Sequence, residues 1–231
     1  MRTLLLDSCD EKWTPVSINN IRNSIVLNMN NSIEKNIAYN MQYLQFISKQ
    51  LSELRLTSVL KKMLYKTYII TGMSILEAVF YCTLKDRNLL PTESWSTERQ
   101  YISSENGPDD NRTRIVSELQ KKCDPKDQKQ NLDFLINRVK KKKVFSANSL
   151  TYDLLENYRR LRNKIHIYDC NDVSDSDYNS FNEMDYVVMK GILKKILSDD
   201  IVTHKDNRII FETIFGNVEE EYKAVIKKQL G

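Results

Sequence analysis

Twelve consecutive residues at 158–169, YRRLRNKIHIYD, hold four cations, one of the chain's two histidines and two tyrosines. Histidine titrates near neutral pH and can take or give a proton. A guanidinium one helical turn away can hold a phosphate by two parallel hydrogen bonds and stabilise charge growing on it. Together they suit metal-free RNA cleavage, with His166 activating a ribose 2′-hydroxyl against its own phosphate and Arg162 holding the phosphorane oxygens. Asn163 would orient the phosphate or the imidazole, and Tyr168 offers a phenolic hydrogen bond or a stacking surface for a base. The competing reading is a capped helix end. Cations suit the negative pole of a helix, and asparagine, disfavoured in helix interiors, marks a fraying end. These residues alone leave both readings open.

The element that must carry them is a helix starting at Asn148 or Ser149, with Leu154, Tyr158, Leu161 and Ile165 as its core stripe. At about 100° per residue, Arg159, Arg162 and His166 fall on one stripe beside that core face, while Arg160 points further toward water. Upstream, residues 58–88 predict a long helix, apolar on most of its circumference between 68 and 84, which is the pattern of a bundle's buried centre. Glu77 lies within it, among Ile75, Leu76, Ala78, Val79 and Phe80. A carboxylate there is costly unless paired, so it is expected to meet Arg162 or Arg159. The basic run of Arg138, Lys140, Lys141, Lys142 and Lys143 reads either as a solvated helix end or as an RNA contact.

Periodicity supplies further helices at 32–56, capped by Asn31 or Ser32, at 132–143 and at 181–197. Ile33, Ile37, Met41, Leu44, Ile47, Leu51 and Leu54 line the first, and Phe181, Met184, Val188, Ile192 and Ile196 the last. Val144 and Phe145 pin the turn after the lysines. Residues 92–127 are polar and weakly periodic around the turn cluster SSENGPDDN, and read as an insertion with one short helix over 112–122. Trp13 and Trp95 are expected to pin the N-terminal and middle excursions to the bundle. His204 reads as a surface loop residue. The segment at 207–216 is ambiguous between strand and helical turn, and 218–230 reads as a last helix. The organisation expected is an N-terminal segment and helix at 1–57, a bundle at 58–198 with its insertion at 92–127, and a C-terminal extension at 199–231.

Five glycines and four prolines in 231 residues leave few tight turns, which disfavours an all-β fold. With 41% hydrophobic and 29% charged residues the chain is globular, and 35 basic against 31 acidic residues is too even a balance to name a polyanion partner by itself. Cys9, Cys82, Cys123 and Cys170 form no CxxC pair, so neither zinc nor a disulfide framework is indicated and a reducing compartment fits. The N-terminus has too short an apolar core for a secretory signal, and the apolar run at 69–84 falls short of a membrane span. A soluble cytoplasmic protein without metal or cofactor is expected.

The stretch RNKIHIY resembles the motif of the HEPN superfamily, helical-bundle proteins of prokaryotic toxin–antitoxin and abortive-infection systems. Their signature is an arginine, usually followed by Asn, Asp or His, then a histidine after four to six intervening residues, which some toxin members continue as His-x-Tyr. Arg162, Asn163, His166 and Tyr168 follow that order. Only three residues separate Arg162 from His166, whereas Arg160 and Arg159 stand at five and six, so which arginine takes the catalytic place stays open. The resemblance covers 58–197 in outline and 161–168 in detail. It implies an all-α antiparallel bundle, dimerising so that two motifs face each other across a cleft. The implied activity is a metal-independent endoribonuclease leaving a 2′,3′-cyclic phosphate and a 5′-hydroxyl, restrained by a partner such as an antitoxin. The alternative is a non-catalytic module of the same kind that binds RNA or protein.

Overall fold

Thr57, whose hydroxyl accepts from the Leu60 amide, starts the helix on which the rest of the fold is assembled. The computed structural model describes residues 13–163 and 176–230, without the side chains of 110 and 226–230. That helix, α3 (Ser58–Asp86), follows α1 (Ile18–Ser24) and α2 (Asn31–Glu53). After it come a hairpin of β1 (Thr92–Ile102) and β2 (Val116–Asp127), then α4 (Leu132–Lys141) and α5 (Ser149–Asn163). α6 (Asp177–Ser180), α7 (Glu183–Leu197), α8 (Ile209–Phe215) and α9 (Glu219–Leu230) complete the described chain. It is mostly helical, with one small two-stranded sheet among the described residues.

α3 touches α2, α4, α5, α6 and α7, which is why its apolar residues run nearly all round. Tyr68, Ile69, Met73, Leu76, Val79 and Phe80 are fully buried along it. By length and composition α3 could cross a membrane, contrary to the sequence expectation, but 61% of its most apolar window is buried inside the bundle. Asn88, at φ 53°, ends it: the Leu89 amide reaches back to Leu84 O at 2.8 Å and the Asn88 amide to Lys85 O at 2.9 Å. Pro91 then prevents continuation.

The same core takes in Ile21 and Ile25 near α1 and Val202, Phe211 and Phe215 around α8, so both ends of the described chain are packed into one bundle. The ambiguous segment at 207–216 is helical because its apolar residues meet α2 and α7 rather than a strand. α1 was not anticipated; Ser17 caps it by accepting from the Asn20 amide. The cap of α2 is Asn30 rather than Asn31 or Ser32, accepting from the Ile33 amide at 2.8 Å. Leu54 is past the helix end and half exposed, not inward.

The expected helix at 112–122 is absent, and most of that stretch forms β2, paired antiparallel with β1. Register runs from Thr92 opposite Asp127 to Ile102 opposite Val116, with irregularities between Glu93 and Trp95 and between Thr97 and Arg99. The turn cluster is the tip of the hairpin. Gly107 takes φ 120° there, and a Cβ would meet Asn111 O at 2.6 Å. Among the described residues no helix packs on either strand beyond incidental contacts, so no face buried there imposes an alternating pattern on the sequence. Trp95 is 51% exposed on this ribbon and does not pin it to the bundle, whereas Trp13 stacks near Phe46 with ring centroids 6.2 Å apart.

Candidate functional site

α5 begins at Ser149, where Asn148 Oδ1 accepts from the Thr151 amide at 3.1 Å and its hydroxyl at 2.7 Å. It buries Leu154, Leu155 and Tyr158 and half-buries Leu161 against the core. That face fixes the rotation of the helix, and with it the direction of the arginines one step round. Arg162 Nη2 lies 2.7 Å from Glu77 Oε2, each side chain about 30% exposed. Glu77 is thus paired, as its apolar setting on α3 requires. Arg159 goes elsewhere: its Nε is 3.1 Å from Asp133 Oδ1 on α4, an ion-pair distance. The angle there makes no hydrogen bond, and this buried nitrogen has no other hydrogen-bond partner among the described residues. Arg160 and Asn163 are exposed. His166 and Tyr168, with Ile165 of the expected core stripe, lie outside the described residues.

Beyond them the chain is anchored to α3 a second time. Lys66 Nζ meets Asp177 Oδ2 at 2.7 Å and sits 5.9 Å from the Phe181 ring centre, and Lys62 lies over the Tyr178 ring at 4.3 Å. Glu77 and Lys66 stand eleven residues apart on α3, about 16 Å along its axis. Arg162 on α5 and Asp177 on α6 are therefore both tied to the same helix. Lys66 and Asp177 were not singled out from the sequence. The available signal was a lysine at the edge of the apolar run of α3, which invites the same question of partners as Glu77.

The basic run ends α4. Arg138 Nε donates to Leu89 O at 3.0 Å, and Lys140 Nζ meets Asp153 Oδ1 at 2.7 Å and Glu156 Oε1 at 3.8 Å. Lys143, at φ 48°, takes the left-handed cap position, and the Val144 amide returns to Val139 O at 3.1 Å. Lys141, Lys142 and Lys143 are exposed. Helix termination and a link between α4 and α5 account for most of this run.

No family model matches the chain, and no curated protein or solved structure matches it. Among the described residues no group of three or more His, Cys, Asp or Glu could hold a metal ion. Cys82 and Cys123 are free thiols, with burial pushing Cys82 up to about 11. His204 is exposed. Among the described residues, one surface cavity of about 640 Å³ is lined mainly from α7, α8 and α9, and another of about 460 Å³ mainly from α2, α3 and α7. Arg162, Glu77 and Arg159 line neither.

Proposed function

We propose that the chain is a metal-independent endoribonuclease of HEPN type, acting in the cytoplasm as a toxin or antiphage effector. The observation that carries this reading is the Glu77–Arg162 pair at 2.7 Å. A carboxylate on one Nη of a guanidinium leaves its other donors for a phosphate while fixing the plane in which they lie. It also separates the arginines: Arg162 would take the phosphate, while Arg159 ties α5 to α4 through Asp133. In the proposed reaction the His166 imidazole takes the 2′-hydroxyl proton as that oxygen attacks the adjacent phosphorus. Arg162 stabilises the equatorial oxygens, and the 5′ oxygen leaves and acquires a proton. The products are a 2′,3′-cyclic phosphate and a 5′-hydroxyl end. Asn163 and Tyr168 would orient substrate, and the exposed Lys141, Lys142 and Lys143 would add diffuse attraction for RNA. A homodimer bringing two motifs together and a restraining partner protein belong to the same reading.

The test is cleavage of a labelled RNA in EDTA. His166→Ala is expected to lose activity by about 10²–10⁴-fold and Arg162→Ala by about 10²–10³-fold, with helical circular dichroism unchanged. A His166→Ala protein that cuts at the wild-type rate in EDTA sinks the assignment. The spacing of three residues between Arg162 and His166 favours a second reading, a non-catalytic module that binds RNA or protein. It predicts salt-sensitive RNA binding with no cyclic-phosphate product from the wild-type chain.

A further inference from the structure

Two surfaces of this molecule carry large apolar side chains that the described residues leave exposed, apart from the Trp13 ring near Phe46. One is the ribbon of β1 and β2, where Trp95, Tyr101, Ile102, Ile115, Val116 and Leu119 are all about half exposed or more, Ile115 reaching 71%, with Tyr101 and Leu119 on one face and Ile102 and Val116 on the other. A two-stranded ribbon without a packing face is marginal in water, so this one is unfinished as it stands. The other is the outer face of α2. Tyr39, Tyr43 and Phe46 recur at spacings of four and three and so stand on one stripe, continued by exposed Leu54, Val59 and Leu60 at the α2–α3 corner. Exposed aromatics in a row are the residue types that anchor protein interfaces.

Charge decides what kind of partner each surface suits. Residues 92–127 hold six basic and eight acidic side chains, a net of −2, which argues against nucleic acid on the ribbon. The rest of the chain holds 29 basic against 23 acidic. Around the aromatic stripe, residues 31–62 hold five basic and two acidic side chains, a net of +3. Arg55 and Lys61 are exposed there, with no carboxylate in ion-pair range among the described residues. An acidic apolar ribbon and a basic aromatic stripe complement each other in sign. They also match in length: seven strand steps from Trp95 to Ile102 span about 23 Å, and fifteen helical steps from Tyr39 to Leu54 about 22 Å.

Within one chain the ribbon does not pack on α2. We infer that it packs on the α2 stripe of a second copy, and that the second copy returns the contact, giving a two-fold dimer by reciprocal arm exchange. The interface uses neither Arg162 nor His166 and does not rest on the nuclease reading; it is the single dimer contact proposed for this chain, and would also hold the homodimer of that reading, so His166→Ala protein assembles as wild type.

Sedimentation velocity of the full chain between about 1 and 100 µM tests this. The wild type is expected at twice the chain mass. Ile115→Arg with Leu119→Arg on the ribbon, and Tyr39→Glu with Tyr43→Glu on the stripe, should each sediment at the single-chain mass. All four positions are exposed, and matching circular dichroism and melting curves confirm the fold. An equimolar mixture of the two variants keeps one intact ribbon–stripe contact and should regain the doubled mass. The proposal is overturned by a monomeric wild type at the top concentration, by either variant keeping the wild-type mass, or by a mixture that fails to reassociate. A ribbon variant that loses RNA binding but stays dimeric overturns it in favour of RNA.

Discussion

Asp185 in the first turn of α7 accepts from the Tyr158 hydroxyl at 3.3 Å. Burial pushes its carboxyl above the ordinary value, outweighing the lowering by its hydrogen bonds. A carboxyl whose folded value is raised holds its proton more tightly folded than unfolded. Its stabilising contribution is therefore full below the unfolded value near 3.8 and is lost as pH rises through the folded value. Asp185→Asn keeps an acceptor for Tyr158 and removes the titration. The variant's melting temperature should gain on the wild type as pH is raised from about 3 to 7. A difference that stays flat over that range, or moves the other way, shows that Asp185 is not strained by burial. Asp199, also buried, accepts from the Ser146 amide at 2.8 Å, the Ser146 hydroxyl at 2.7 Å and the Ile201 amide at 3.1 Å, which partners both of its oxygens.

α9 docks on α7 where Gly191 leaves room for the Tyr222 ring. A Cβ on Gly191 would overlap Tyr222 Cδ2 and stand 3.1 Å from Tyr222 Cβ. Two effects of opposite sign compete in Gly191→Ala. Helix propensity alone would stabilise α7 by about 1 kcal/mol. Overpacking a fixed neighbour costs about 1–3 kcal/mol, and here the clash includes the ring's near edge, which cannot retreat while α9 stays docked. Net destabilisation in a denaturant titration is expected, with faster proteolysis confined to α9. In the Tyr222→Ala background the same change should turn stabilising, because the clash has gone and the propensity gain remains. A stabilising Gly191→Ala in the otherwise wild-type chain would mean that α9 is not held there.

Across the whole molecule, the ribbon makes only incidental contact with the described helices, which predicts that bundle and ribbon are energetically separable. Strand residues 94–125 leave and rejoin the bundle at one place, where the Gln128 amide donates to Pro91 O at 3.0 Å and Lys85 lies 3.5 Å from Asp127. Replacing 94–125 by a short Gly/Ser link should therefore change the unfolding free energy by no more than about 1 kcal/mol, measured at a dilution that dissociates any dimer. Loss of the helical transition would show instead that the ribbon braces the bundle. The mild net charge of +4 is likewise a sum of unlike parts, an acidic ribbon on a basic bundle.

Helical period, caps and the all-round apolar pattern of α3 are local properties, so most helices and the burial of Tyr158, Phe181 and Ile192 follow from the sequence alone. So does the need of Glu77 for a partner, because a carboxylate amid apolar neighbours has few ways to persist. Local patterns could not reveal the hairpin. Its strands bury neither face, so no alternation is written into them, and pairing between residues up to 35 positions apart overrode the helix-forming tendency of the 116–122 stretch. Nor could spacing choose between Arg159 and Arg162, which share one stripe. Only the packing of α4 beside one and α3 beside the other sends Arg159 to Asp133 and Arg162 to Glu77.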